Sequence, residues 1–383
     1  MAKLIRITTI PLSLHKLLGG QLAYMARYHD VIGVSSNGKE IELIEQEQGI
    51  KVHRINMTRS ITPLRDLIAI IRLALFFMKE KPDIVHSHTP KAGLVSMLAA
   101  RLAGVKIRMH TVAGLPLMET SGFRFKLLKS VEKLVGRTAT TIYSNSYKLR
   151  DYMLKNHLVH ESKLRVIGSG STNGINLSYF SRTESVMKEG RLLHNRYGIS
   201  DEHLVFCFIG RIVIDKGITE LVDAFSELSK TFPQIRLFMV GNIESELAQG
   251  IEQTMRSNQA IIQTGYQEDV RPYLAISDVF VFPSYREGFP NVVLQASSFN
   301  LPSIVTNING SNEIIEDGKN GLIIPKKDKI SLTAAMEKFV VNRGLSRELG
   351  DNARELVAGK YDQKLVWELW KQEYETQLRK YVP

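Results

Sequence analysis

The sequence predicts an α/β protein of two successive domains, each a parallel sheet wound on both faces. Three observations carry this. The first half alternates short, β-branched runs with helical patterns, as βαβ units do. A polar stretch from Ser178 to Glu202 interrupts the alternation, which then starts again. And 383 residues, at a prior of ~150 per domain, leave room for two cores of ordinary size.

In the first half the strand-like runs are Leu4–Thr9, Val31–Ser35, Val52–Ile55, Ile84–His88, Ile107–Thr111, Thr141–Ser144 and Leu164–Ile167. Helical patterns at Pro63–Lys81, Gly93–Leu102 and Phe123–Arg137 fall between them. In the second half the strands are Leu204–Ile209, Arg236–Val240, Ile261–Thr264, Val279–Phe282, Ser303–Thr306 and Leu322–Ile324. Helices follow at Thr219–Ser229, Val270–Ala275, Asn291–Phe299 and Leu332–Val340. A last helix, Gln363 to Tyr381, carries Trp367, Trp370 and Tyr374 at helical spacing, which marks a packing stripe. The expected boundaries are 1–175 for the first domain, 176–200 for a linker, 201–362 for the second domain, and 363–383 for a helix that crosses back onto the first.

Composition narrows the function classes. Cys207 is the only cysteine, so neither a disulfide framework nor a cysteine metal cage can form, which fits a reducing compartment. Met1–Ile7 lacks the apolar core of a signal peptide. The most apolar segment, Leu67–Met78, is broken by Arg72 and falls short of the ~20 residues a spanning helix needs. It is expected as a buried helix of an α/β layer rather than a membrane insertion. The net charge is +11, and it is one-sided: residues 1–180 hold 26 Lys+Arg against 12 Asp+Glu, whereas residues 181–383 hold 24 against 27. Such a basic half suggests an anionic partner.

Chemistry concentrates in three places. Glu287-Gly288-Phe289-Pro290-Asn291 turns out of the Val279–Phe282 strand into a helix that reaches Gln295. A turn of this kind leaves N–H groups at a helix start, where the dipole suits an anionic or hydroxyl-rich ligand. Gly210-Arg211 and Lys216-Gly217 follow the Leu204–Ile209 strand. They bring a planar fork of donors and a mobile point charge to the carboxyl end of a sheet, where open α/β folds bind ligands. Alone they are equally a solvated basic loop. Near the start, Gly19-Gly20 follows the first strand and lets backbone approach a phosphate closely, but neither a Walker lysine nor three-glycine Rossmann spacing accompanies it.

Together these residues resemble glycosyltransferase family 4, whose retaining, sugar-nucleotide-dependent enzymes have the GT-B architecture of two facing Rossmann-like domains with a cleft between them. The resemblance spans essentially the whole chain: Gly19-Gly20, Gly210-Arg211 to Lys216-Gly217, Val240-Gly241, Glu287-Gly288-Phe289-Pro290, and Gly310 through Glu313-Ile314-Ile315 to Gly321-Leu322. Thr111–Pro116 and Gly168–Ile175 carry a closer likeness to transferases of bacterial capsule, O-antigen and N-glycan assembly.

The resemblance implies a metal-independent hexosyltransferase. It would move a sugar, an N-acetylhexosamine among the candidates, from a UDP-sugar to a polyprenyl-diphosphate-linked saccharide. Arg211 and Lys216 would hold the donor diphosphate and stabilise the leaving charge. Glu287 would face the donor sugar, with Gly241 and the backbone of Gly288, Phe289 and Asn291 around it. Pro290 has no N–H to give. Gly20 would cap the diphosphate. No cofactor or metal is implied. Two departures stand out. Gln295 occupies the position of a family glutamate that binds the donor ribose, so it keeps an acceptor but loses the charge. Ala113, just before Gly114, stands where a histidine is common, and His110 does not inherit that role. His86 and His88 alternate on one strand and either line the acceptor cleft or pack as ordinary polar core; His110 and Gly114 are expected on the same acceptor side.

Lys126, Lys129, Lys133 and Arg137 fall near one face of the Phe123–Arg137 helix, with Leu127, Leu128, Val131, Leu134 and Val135 near another. Such a helix either lies on an anionic membrane surface, at ~1 kcal/mol per basic residue, or keeps its charges in water. The expected location is cytoplasmic, peripheral on the inner face of the cell membrane. A UDP-sugar epimerase of the same architecture and a non-catalytic sugar-nucleotide-binding subunit are the competing readings. Nucleic-acid binding rests on charge alone and lacks interleaved aromatic and basic residues.

Overall fold

Strands this rich in Val, Ile and Phe must be covered on both faces. The computed structural model describes residues 1–381 apart from 245, 246, 248 and 249, and the backbone alone at Glu119. The chain divides into two compact units, Met1–Gly174 with Gln363–Pro383, and Ile175–Asp362.

The first unit holds β1 (Lys3–Ile7), β2 (Asp30–Ser35), β3 (Lys51–Arg54), β4 (Ile84–His88), β5 (Ile107–Val112), β6 (Thr141–Ser144) and β7 (Leu164–Val166). They form a sheet of order β3-β2-β1-β4-β5-β6-β7, parallel throughout. Leu4 pairs with Val31 on one side and Ile84 on the other. Chain direction across the sheet reverses between β1 and β4, which opens a crevice at their carboxyl ends. The helix Gln363–Tyr381 belongs to this unit and sends Val366, Trp370 and Tyr374 into a core with Leu4, Met109 and Tyr143. Trp370 lies 5.0 Å from the Tyr143 ring and donates its indole N–H to the Thr172 carbonyl (3.2 Å).

The helix Pro63–Glu80 packs on the helix Pro90–Leu102, which packs on the helix Gly122–Thr138. Here the structure corrects an expectation. The Pro63–Glu80 helix is not an enclosed layer helix: it buries Ala69, Leu73, Ala74 and Phe77, while Leu64, Leu67, Ile68, Ile71, Leu75 and Met78 stay exposed. Overall apolarity overstated its burial because only one of its faces has a neighbour.

The second unit holds β8 (Leu204–Ile209), β9 (Ile235–Val240), β10 (Ile261–Gly265), β11 (Val279–Phe282), β12 (Ser303–Thr306) and β13 (Gly321–Ile324). Their order is β10-β9-β8-β11-β12-β13, again parallel. Phe206, Phe208, Phe225, Phe238, Phe280 and Phe282 fill its core. This sheet has its switch point between β8 and β11. Residues 176–200, expected as a linker, contain the helix Glu184–Tyr197, packed on the helix Arg271–Ala275. Its apolar edge is narrow, which hid it among polar residues. Gly190 permits the close approach, since a Cβ there would fall 2.7 Å from Ile276.

Candidate functional site

At the switch point of the second unit, β8 runs into Gly210 and Arg211. Gly241, at the end of β9, has φ of 145°, and a Cβ on it would meet the Gly210 carbonyl oxygen at 1.9 Å. The strand ends therefore lie closer than any side chain allows. Arg211 extends into solvent and pairs loosely with Glu244 at 3.4 Å. Lys216 closes a short 3₁₀ turn, Ile214–Lys216, and Gly217 follows at φ 70° with no space for a Cβ beside Pro283.

Lys216 Nζ donates to Glu287 Oε1, and both side chains keep some exposure. The ammonium also lies 5.2 Å from the Phe282 ring. Ser284, fully buried, donates its hydroxyl to the same Glu287 oxygen (2.9 Å). The loops around the pair are tied together. Arg286 bonds Asp215 (2.6 Å), and the Tyr285 hydroxyl bonds Glu220. Burial first, and then Glu220, raises the Tyr285 phenol's pKa.

The Glu287–Pro290 turn leads into the helix Asn291–Ser298, whose cap residue Pro290 supplies no side-chain acceptor. Asn309 Nδ2 donates to the carbonyls of Glu287 and Gly288, and Gly310 has φ of 78° with Gly288 O and Pro290 Cδ within 2.9 Å of where its Cβ would be. The turn is thus clamped from behind. Phe289 packs its ring 5.3 Å from Tyr361, which leaves its backbone for the site. Gln295 is half-buried, and its amide has no hydrogen-bond partner among the described residues. No group of three or more His, Cys, Asp or Glu placed to hold a metal ion occurs among the described residues.

The corresponding crevice of the first unit is different. Gly20 has φ of 75°, and a Cβ on it would fall 2.7 Å from the Trp367 ring. The loop is held from beneath: Asn173 Nδ2 donates to Gly19 O (3.0 Å), and Trp367 Nε1 donates to Asn173 Oδ1 (2.6 Å). Gln21 bonds Thr172 O and Asn173 and accepts from Arg6 Nη2 at 2.6 Å. Thr89, just after β4, holds φ at 106°, a conformation that strains a β-branched residue, and shares a 2.7 Å hydroxyl contact with Thr9.

His86, His88 and His110 are enclosed. His86 bonds Tyr374 OH (2.7 Å) and Thr111 Oγ1 (2.8 Å), His88 Nε2 accepts from Arg6 (3.0 Å), and His110 meets Ser87 Oγ (2.9 Å). Burial pushes His86 and His88 well below the ordinary imidazole range, with Arg6 acting the same way, and holds His110 down at about 4. Enclosure and these bonds give the rings the geometry of polar core packing, with His88 Nδ1 and Arg6 Nη1 left buried without a partner among the described residues. Gly114 (φ 154°) lies just past β5, beyond Ala113, whose carbonyl accepts from Asn145 (3.3 Å). On the helix Gly122–Thr138, Lys126 and Arg137 are exposed, while Lys129 and Lys133 are half-buried.

This geometry can be compared with known proteins. The model of "Glycosyl transferases group 1" matches residues 191–356, and that of "Glycosyl transferase 4-like domain" matches residues 21–170. The capsular polysaccharide biosynthesis glycosyltransferase CapM of Staphylococcus aureus is 32% identical over 382 residues, covering 98% of each chain. The chain belongs to the group 1 glycosyltransferases. A second relative, the UDP-Gal:alpha-D-GlcNAc-diphosphoundecaprenol alpha-1,3-galactosyltransferase of Escherichia coli, is 30% identical over 76% of this chain and 74% of its own. In fold, the glycosyltransferase matches the crystal structure of Anabaena HepE in complex with UDP-glucose, with a TM-score of 0.80 at 16% identity over 98% of this chain and 100% of that one. It has the GT-B fold.

The group 1 match contains Arg211, Lys216, Gly241, Glu287 to Asn291 and Gln295, and the second unit brings Lys216 and Glu287 into direct contact. The supports of the glycosyltransferase's crevices, Ser284, Asn309, Gln21 and Asn173, escaped the sequence reading. Asn309-Gly310 carries a local signal, a turn dipeptide. A lone serine, glutamine or asparagine carries none.

Proposed function

We infer that this glycosyltransferase moves a sugar from a UDP-sugar to a polyprenyl-diphosphate-linked saccharide, with retention of anomeric configuration, in assembly of a bacterial surface polysaccharide such as capsule. The observation that carries the reading is the Lys216–Glu287 contact at the second unit's switch point, on the loop that Arg211 opens and from which its guanidinium reaches solvent. A crevice with two cations at the carboxyl end of a sheet suits a diphosphate, and a carboxylate held by Ser284 suits a sugar hydroxyl. The relatives support the substrates: the E. coli enzyme's name gives a UDP-galactose donor and a diphosphoundecaprenol-linked acceptor, and HepE was crystallised with UDP-glucose.

In this reading Lys216 and Arg211 stabilise negative charge as the anomeric C–O bond breaks and its electron pair passes to the UDP phosphate. The acceptor hydroxyl oxygen forms the new bond on the same face, and its proton goes to the departing phosphate oxygen. No histidine is assigned a role. Catalysis is expected at the cytoplasmic face of the cell membrane, with the basic helix Gly122–Thr138 drawn to anionic lipid.

Thermal-shift measurement against UDP-, GDP- and ADP-sugars tests the donor. A UDP-sugar at a hundredfold excess over its Kd should add ~2.7 kcal/mol of apparent stability. Incubation with polyprenyl-diphosphate-linked saccharides should then give an α-linked product from an α-linked donor. An epimerised nucleotide sugar formed without acceptor, or an inverted linkage, sinks the reading.

A further inference from the structure

We propose that the helix Pro63–Glu80 is the membrane-inserting element of this enzyme and lies in the headgroup region of an anionic phospholipid bilayer. The inference rests on the lipid-linked acceptor reading and goes beyond it by naming the surface.

Leu64, Leu67, Ile68, Ile71, Leu75 and Met78 are each between 50 and 79% exposed. At 100° per residue they fall within one stripe about 100° wide. From Leu64 to Met78 the stripe runs about 21 Å, well beyond the scattered apolar side chains a soluble surface tolerates. The helix is too polar elsewhere to cross a membrane, and no described helix is long and apolar enough to do so. A helix of this kind lies flat in an interface.

Charge identifies the occupant. Arg65, Arg72 and Lys79, all exposed, recur every seven residues along one flank of the stripe, where long cationic side chains can snorkel to lipid phosphates. The acidic side chains of the helix are turned away: Asp66 pairs with the buried Lys91 and Glu80 pairs with Lys3. The Asp66–Lys91 pair also fixes the helix's rotation, so the stripe is held outward. Beside Leu75, an open pocket of about 390 Å³ is lined by His53, Arg54, Arg72, Lys79 and Glu80; the Glu80 carboxylate is already paired with Lys3, and two arginines and a lysine outnumber it there. On the same sheet face, the helix Gly122–Thr138 adds exposed Phe123 next to Arg124 and Lys126. A second copy of this chain would set the cationic row against itself, which disfavours a self-paired interface.

Flotation of the full-length protein with vesicles of equal parts phosphatidylglycerol and phosphatidylcholine tests this, with pure phosphatidylcholine as control. Binding should require the anionic lipid. Leu67→Ser with Ile71→Ser and Leu75→Ser should weaken it at least about tenfold at unchanged melting temperature. Lys126→Glu with Lys129→Glu and Lys133→Glu should weaken it less. Because Cys207 is buried, Ile71→Cys offers one accessible thiol for an environment-sensitive dye. Its emission should shift to the blue with anionic vesicles only. Flotation unaffected by the three serines, or a blue shift that grows with protein concentration and needs no lipid, overturns the proposal. Transfer to a short-chain, detergent-soluble acceptor separates the two ideas. If it persists while flotation fails, only the docking surface falls; if UDP-sugars neither bind nor react, the transferase reading itself falls.

Discussion

The two units share a plan and differ in what they leave free. Each sheet reverses direction once, between β1 and β4 and between β8 and β11. At the first reversal Arg6, Gln21, His86, His88 and Tyr374 are fully enclosed; Arg6 bonds His88 and Gln21, and His86 bonds Tyr374, while Arg6 Nη1 and His88 Nδ1 are buried without a hydrogen-bond partner among the described residues. At the second, Arg211 reaches solvent and the Lys216–Glu287 pair retains exposure. A paired but accessible charge can change partners when a ligand arrives. An enclosed one cannot without unfolding its surroundings. The second crevice is built for exchange, and the first for holding a loop still.

The largest effect that could break this contrast is catalytic. Lys216→Ala should lower kcat about 10³-fold and Glu287→Gln about 10²-fold, with folding intact by circular dichroism. A Lys216→Ala enzyme retaining a tenth of its activity would remove the second crevice's special status. Next comes packing. Trp370→Ala should cost the first unit about 3–5 kcal/mol, read as lost hydrogen-exchange protection in β4 and β5, with β8 and β11 unchanged.

Acid should then separate the units. His86, His88 and His110 are held neutral in the fold, whereas the unfolded chain takes up protons near pH 6.5. Unfolded molecules therefore bind more protons from there down to about pH 4, and stability falls as pH drops through that window. Glu132 opposes this, because burial raises its carboxyl to about 7 and folding then favours the protonated form as pH falls. Three imidazoles outweigh one carboxyl at ~1.4 kcal/mol per pKa unit, and the second unit has no fully buried histidine among its described residues. Exchange protection should fade in the first unit before the second between pH 7 and 5; simultaneous loss contradicts the contrast. The smallest effect belongs to Gln295→Glu, which should lower donor KM by roughly two- to tenfold, at 1.4 kcal/mol per decade, by restoring a charged acceptor. Unchanged KM would mean the ribose does not meet this side chain.

The thirteen strands among the described residues were all legible. The edge strands β3 and β10, largely exposed or half-buried, showed only as short runs at their place in the alternation. Inner strands such as β8 and β11, buried on both faces, write their burial directly as a β-branched and aromatic run. Trp370 and Tyr374 were legible as a stripe for the same reason, and both are buried. The helix Glu184–Tyr197 was not, since a thin apolar edge around Val186 and Gly190 leaves little periodic signal. Nor was the exposure of Leu67–Met78, because sequence reports what a side chain prefers and not whether a neighbour arrives to cover it. In the candidate site, Arg211, Lys216 and Glu287 declare themselves by charge next to glycine turns. Ser284 and Asn309 act through bonds to residues and backbone that only folding brings near.

The terminal helix has a consequence for biosynthesis. Trp370 and Tyr374 complete the core around β1, β4 and β5, yet they follow Ile175–Asp362 in the chain. On the ribosome the second unit is fully made before the first can close. The amino-terminal sheet must wait with its aromatic socket open, and a chain stopped at Asp362 would be released with a finished nucleotide-side unit and an unsealed partner, a substrate for chaperones and proteases.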